Sequence, residues 1–226
     1  MTAKKTAAKK TAAKKTAAKT AAKKTATKEA EKAAAPAGEV PIMAFASQQA
    51  WADWLEANHA SPRGIWLKFA KKGSDVASVT YAEAVEAALA WGWIDGQKKA
   101  HDDVAWLQKF TPRRPKSLWS RINRDKAEAL IAAGKMRPPG LAEVERARQD
   151  GRWDSAYEPA SRATVPDDLA AALAANPRAA AVFATLNAAN RYAILFRVQV
   201  ARKPETRARN IARFVEMLAR DEKIHP

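Results

Sequence analysis

The 226-residue chain has no cysteine, only three histidines, and no apolar side chain larger than alanine between Met1 and Val40. Without cysteine there is no disulfide, no thiolate metal site and no cysteine nucleophile, a composition that fits a reducing compartment. His59, His101 and His225 lack close ligand spacing such as H-x-x-x-H, so neither a metal nor a cofactor is expected. The missing apolar run near the start leaves nothing to serve as a secretory signal, and residues 2–35 also lack the arginines of a mitochondrial presequence. No later stretch approaches the roughly 18 consecutive apolar residues of a membrane span. A P-loop, a G-x-G-x-x-G turn and a Ser-His-Asp order are absent as well. The expectation is a cytoplasmic protein without a membrane span and with no legible active site.

What the chain has in excess is positive charge, +16 in all, and it is unevenly placed. Residues 1–32 hold eleven lysines against Glu29 and Glu31, which leaves 29 basic and 22 acidic residues for the remainder. From Lys4 the pentad K-K-T-A-A recurs, shortens once and resumes. A five-residue period turns about 140° per repeat on a helix, so the lysines spread around the cylinder and form no face. With no apolar burial and strong self-repulsion, residues 1–40 read as a disordered basic tail and linker ending near Ala35-Pro36-Ala37-Gly38. Its composition resembles the lysine- and alanine-rich tails of linker histones and bacterial histone-like proteins. Lys4, Lys5, Lys9, Lys10, Lys14, Lys15, Lys19, Lys23 and Lys24 are its candidate phosphate contacts, giving non-specific DNA or RNA affinity and nucleoid association. A merely solubilising tail is the competing reading.

The body alternates helix and strand signals before turning wholly helical. Ser47 caps a helix whose Trp51, Trp54 and Leu55 share a face, ended by Pro62 and Gly64. "IWLKFA" alternates as a strand. Thr80 and Glu83 form a capping box ahead of a second helix. "WIDG" and "VAWLQKFTP" read as a short and a longer strand, and a helix capped at Ser117 follows, with Leu118, Ile122, Leu130 and Ile131 inward and Gly134 as its stop. These signals predict an α+β domain over 41–136, with a small sheet and flanking helices in the order α-β-α-β-β. A helical C-terminal module over 137–226 completes the chain, with Pro166 and Pro177 at helix starts and Ile211, Phe214, Val215 and Leu218 repeating at helical spacing.

The densest group of reactive residue types lies between Trp91 and Asn123. Arg113 and Arg114 precede the first turn of a predicted helix and the Ser117 hydroxyl, an arrangement that favours an anion. Trp93, Asp95, Arg113, Arg114, Ser117, Trp119, Ser120 and Asn123 are therefore the candidate ligand-binding residues. Residue types alone leave a structural reading open: buried tryptophans, a turn at Asp95-Gly96 and solvated arginines. Asp102 and Asp103, being adjacent, read as turn residues and not as an acid/base pair.

Five blocks in order carry a family resemblance: "TYAEAVEAALAWGWIDGQ", "KFTPRRPKSLWSRIN", "GKMRPPGLAEVERARQDGRWDSAY", "VPDDLAAAL" and "KPETRARNIARFVEML". Over roughly residues 43–222 the chain resembles the YdeI/OmpD-associated family of bacterial proteins. The resemblance implies a cytoplasmic protein with a YjbR/CyaY-like α+β domain, a C-terminal bacteriocin-protection part, and a role in stress or bacteriocin tolerance without an assigned reaction or cofactor. The lysine-rich tail departs from that pattern. A non-enzymatic protein that binds an anionic ligand or a protein partner is the expected function. The alternatives are a nucleic-acid-binding protein throughout, or an enzyme on an anionic small molecule with Asp95 as acid or base and Arg113 holding the charge.

Overall fold

A computed structural model describes residues 39–226, and the phosphate contacts expected of Lys4 to Lys24 lie outside the described residues. The described chain divides into two units, one comprising residues 39–88 and 93–112, the other 89–92 and 113–226.

The first unit is a four-stranded mixed sheet with two helices. Its elements are β1 (Ile42–Ala44), α1 (Gln48–Asn58), β2 (Ile65–Ala70), α2 (Tyr81–Ala90), β3 (Trp93–Ala100) and β4 (Ala105–Pro112), with α2's last two residues counted in the second unit. The strand order is β1-β2-β4-β3, with β1 parallel to β2 and the other pairs antiparallel. The predicted order α-β-α-β-β thus gains a leading strand. At three residues β1 is too short to display an alternation, and its partner β2 supplies the ladder that fixes it.

Both helix starts follow their caps. Ser47 Oγ accepts from the Ala50 amide at 3.2 Å. Thr80 and Glu83 close a reciprocal box, in which the Thr80 amide donates to Glu83 Oε2 at 2.9 Å and the Glu83 amide to Thr80 Oγ1 at 3.3 Å. Alternation along β2 sends Ile65, Leu67 and Phe69 into the interior. Trp51 and Leu55 of α1 are fully buried, Trp51 packs edge-on against Phe110 of β4, and its Nε1 donates to the Ala84 carbonyl of α2 at 3.1 Å. Burying side chains of this size contributes about 1.5–3 kcal/mol each, which is why the core gathers on the helix-bearing face.

The second unit is helical: α3 (Arg121–Ala132), α4 (Pro138–Gln149), α5 (Asp167–Ala174), α6 (Pro177–Thr185), α7 (Ala188–Gln199) and α8 (Pro204–Ala219). Leu169, Phe183, Ile194, Val198, Ile211, Phe214 and Leu218 form one core among α5 to α8, and Val215 packs against it half-buried. Pro177 opens α6 behind the cap Asn176, whereas Pro166 is itself the N-cap of α5. Gly134, at φ +65°, follows the end of α3 as expected.

One predicted cap is corrected. Helix α3 begins at Arg121, and Ser120, not Ser117, caps it by accepting from the Asn123 amide at 3.2 Å. Leu118 and Ile122 are accordingly 37% and 36% exposed, not inward. The cause is a short bridge to a distant segment: the Tyr157 amide donates to the Trp119 carbonyl and the Arg121 amide to the Tyr157 carbonyl, which keeps 117–120 extended.

Arg207 of α8 clamps Asp168 of α5 through two hydrogen bonds, 2.6 and 2.9 Å, and holds its carboxyl below the usual carboxylate range against a smaller opposing effect of burial. A depressed native pKa gives stability that is present above the unfolded value, near 4, and lost as pH falls through the native one. Asp168→Asn should therefore lower stability at neutral pH and flatten the acid limb below about pH 4. Because the carboxyl is half exposed, the expected loss is at most about 1 kcal/mol. Urea denaturation of both proteins at neutral and acid pH checks it: an equal difference at both would refute the electrostatic account.

Candidate functional site

Of the eight ligand candidates, Trp93 and Asp95 belong to the first unit and Arg113, Arg114, Ser117, Trp119, Ser120 and Asn123 to the second. In the first unit both side chains are engaged. Trp93 is fully buried, its Nε1 donates to the His59 carbonyl at 2.8 Å, and it meets Trp51 and Trp54 edge-on. Asp95 lies within β3, not in a turn, at the start of an irregularity in the β3–β4 register. Its Oδ2 accepts from the Tyr81 hydroxyl at 2.6 Å. Burial first, and the Asp95 carboxylate second, push the Tyr81 phenol above its ordinary value, so the proton stays on the tyrosine.

In the second unit the hydroxyls of Ser117 and Ser120 are occupied by local structure. Ser117 Oγ accepts from the Arg114 amide at 2.9 Å, and Ser120 Oγ caps α3. With the Arg121 amide directed to Tyr157 and the Asn123 amide to Ser120, two of the first-turn donors of α3 are already used. Arg114 is exposed.

Arg113 and Trp119 are brought together. The Arg113 guanidinium lies 3.5 Å from the centroid of the Trp119 ring and donates from Nη1 to the Leu118 carbonyl at 3.2 Å. Both side chains are buried, at 5% and 2% exposure. Stacking on an aromatic face suits guanidinium, which is planar and more weakly hydrated than ammonium.

Two further residues complete this cluster, and no sequence signal singled them out. Trp153 packs edge-on against Trp119 with ring centroids 4.8 Å apart, and the Arg148 guanidinium lies over the Trp153 ring at 5.3 Å from its centroid. Arg152 is 6% exposed. Its Nε donates to both Asp150 oxygens, at 2.8 and 2.7 Å, and its Nη1 to the Ser117 carbonyl at 2.7 Å. The hydrogen bond from Arg152 holds the Asp150 carboxyl below its usual range, with burial opposing. "GRWDSAY" looks like a helix terminator in one dimension, and only the fold sets its Arg152 and Trp153 beside Ser117 and Trp119.

Two donors in the cluster, Trp119 Nε1 and Arg152 Nη2, are buried without a hydrogen-bonding partner among the described residues. A buried donor left in that state is costly, so it marks a place where an acceptor is wanted. A carboxylate, a phosphate oxygen or water has the required chemistry. Nucleophilic or acid/base chemistry is less well served, since the candidate serines and Asp95 are tied into internal hydrogen bonds. Asp102 plays the turn role expected of it, accepting from Lys68 Nζ at 3.0 Å and from the Val104 amide at 3.0 Å. Among the described residues, no group of His, Asp and Glu is arranged to hold a metal ion, and no helix is long and apolar enough to cross a membrane.

Comparison with known families gives two matches. Residues 162–221 match the family described as Bacteriocin-protection, YdeI or OmpD-Associated, and residues 43–143 match a domain of unknown function, DUF8412. No curated protein and no solved structure matches the chain.

Proposed function

We propose, on the premise that residues 162–221 are a YdeI/OmpD-associated domain, that the chain is a bacterial cytoplasmic tolerance protein that binds and does not catalyse. In this reading the first unit is a YjbR/CyaY-like domain and the basic tail is an electrostatic tether to DNA or RNA, giving nucleoid association. Trp93, Asp95, Arg113, Arg114, Ser117, Trp119, Ser120 and Asn123 remain the ligand-binding candidates, joined by Arg152. The Arg113–Trp119–Arg152 cluster is the place for an anionic group.

The observation that carries the reading is the distribution of charge. Residues 1–32 hold eleven lysines against two glutamates, and the second unit holds 22 basic against 13 acidic residues. Neutralising phosphates releases counterions, so affinity for duplex DNA should fall steeply with salt, by a log–log slope of about 0.9 per phosphate contact. Replacing the nine lysines from Lys4 to Lys24 with glutamine in the full-length protein should remove most of that slope. Fluorescence anisotropy with a labelled duplex across a salt series measures it. A variant that keeps its affinity and slope would abandon the tether and favour the second reading, nucleic-acid binding through the basic second unit.

A further inference from the structure

We propose that the helix-free face of the first unit's sheet binds single-stranded nucleic acid, with a base stacked on Trp66 and phosphates held by Lys99 and Lys109. The inference concerns strands β1 to β4 and is independent of the tether, since none of its residues lies in the tail.

The register defines this face. Cross-strand partners share a side, so one row runs Ile42, Trp66, Lys109 across β1, β2 and β4. The next row on the same side runs Ala44, Lys68, Leu107, Lys99 across all four strands. The opposite side carries Ile65, Leu67, Phe69 and Phe110, which are the residues buried with α1. Trp66 is therefore the aromatic of the face turned away from the core, and it is half-buried where Trp51 and Trp93 are fully buried.

Charge is segregated to match. Helices α1 and α2 carry Asp53, Glu56, Glu83 and Glu86 and no basic residue, whereas the strands carry Lys68, Lys99 and Lys109 on the open side, with Lys98 and Asp95 on the helix side. Asp95 pairs in register with Phe110 and so sits on the helix side, bound to Tyr81. Every charged strand residue that the register places on this face is a lysine, and Asp102 of the β3–β4 turn pairs with one of them, Lys68. Lys99 Nζ is 4.2 Å and Lys109 Nζ 5.9 Å from the Trp66 ring centroid, and Lys68 reaches Asp102 at 3.0 Å. Lysine on an edge strand blunts unwanted strand pairing, and that accounts for Lys98 and Lys99 on β3. It does not account for Lys109, because β4 is paired on both sides and has no edge to protect.

The lysines do not block the ring. An exposed cation over an aromatic is held more weakly than a stacked base, so a base can displace the Lys99 ammonium, which then remains within reach of the phosphate beside it. Beyond Lys68 the same face continues into a groove of about 150 Å³, lined mainly by Ala44, Ala70, Val76, Val104 and Ala105 with Lys68 at its side, which can seat an apolar ring edge or sugar. A half-buried aromatic set over the buried Leu107 side of the sheet, flanked by ammonium groups and an apolar groove, matches the alternating bases and phosphates of an unpaired strand. A duplex hides its base faces and gains only the charge contacts.

The test uses the full-length protein, a fluorescein-labelled oligothymidylate of about 12 residues and a duplex of equal length, in anisotropy titrations near 0.15 M salt. Trp66→Ala should weaken oligothymidylate binding roughly 5- to 100-fold and leave the duplex within about twofold, and Trp66→Phe should restore most of the loss. Lys99→Gln with Lys109→Gln should weaken oligothymidylate binding and reduce its log–log salt slope by roughly 1.4. If circular dichroism shows that Trp66→Ala is unfolded, the paired lysine variant and Trp66→Phe decide alone. Oligothymidylate affinity unchanged in the folded variants would overturn the proposal. So would polyglutamate competing as well as oligothymidylate with no effect of Trp66→Ala, a result that would assign the face to an acidic peptide.

Discussion

Trp119→Ala is expected to destabilise the second unit by about 3–4 kcal/mol, among the largest effects of any single side-chain truncation in it. The ring is 2% exposed, covered on one face by the Arg113 guanidinium and met edge-on by Trp153. Alanine would leave a cavity and take from a buried cation the aromatic surface it rests on. Trp119→Phe isolates a different property. It keeps an aromatic face for Arg113 and removes the Nε1 donor, which has no hydrogen-bonding partner among the described residues. Deleting an unpartnered donor costs nothing in hydrogen bonding, so phenylalanine should lose only the smaller ring's packing, about 1 kcal/mol. Calorimetric melting with and without inorganic phosphate separates the roles. Phosphate should raise the Tm of the wild type and fail to raise that of Trp119→Phe, and equal stabilisation of both would remove Nε1 from the ligand set.

Gly64→Ala should be nearly as damaging to the first unit, costing about 2–5 kcal/mol. Gly64 has φ +69°, and a Cβ there would collide with the Phe110 carbonyl oxygen and lie 2.6 Å from Thr111 Cγ2. Both obstacles belong to β4, which is paired on both sides and cannot retreat. Gly134→Ala is the matched control, with a similar φ of +65° and nothing within 4 Å of the added carbon. It should show the conformational cost alone, about 1–2 kcal/mol. Equal losses at the two glycines, read by urea denaturation, would mean that the backbone near Gly64 yields.

Local chemistry was legible in the sequence wherever it was self-contained. Ser47 and the Thr80–Glu83 box are complete within four residues, and both helices start where those residues place them. The stripe Ile211, Phe214, Leu218 needs only its own period to announce a buried face. Legibility failed where a distant segment decided the outcome. Ser117 and Ser120 are equivalent caps in one dimension, and the bridge to Tyr157 chooses between them. The end of β3 has no apolar alternation at Gln97, Lys98 and Lys99, and its strand character comes from pairing with β4. The candidate site was legible in the same limited sense: Arg113 and Trp119 were named and do meet, while Arg152 and Trp153 reach them from a segment more than thirty residues on.

Within the first unit the helices carry only carboxylates among their charged residues, and Lys99 and Lys109 stand on the opposite side of the sheet. Over its described residues it has 7 basic and 9 acidic side chains, so its charge sum alone describes it as mildly acidic and indifferent to a polyanion. The sum does not show where the charges stand. In the proposed complex the lysine-bearing side would face the nucleic acid and the carboxylate-bearing helices solvent, so that orientation would precede contact. With the proposed tether, recognition would be divided, the tail capturing a polyanion and the sheet face aligning on it.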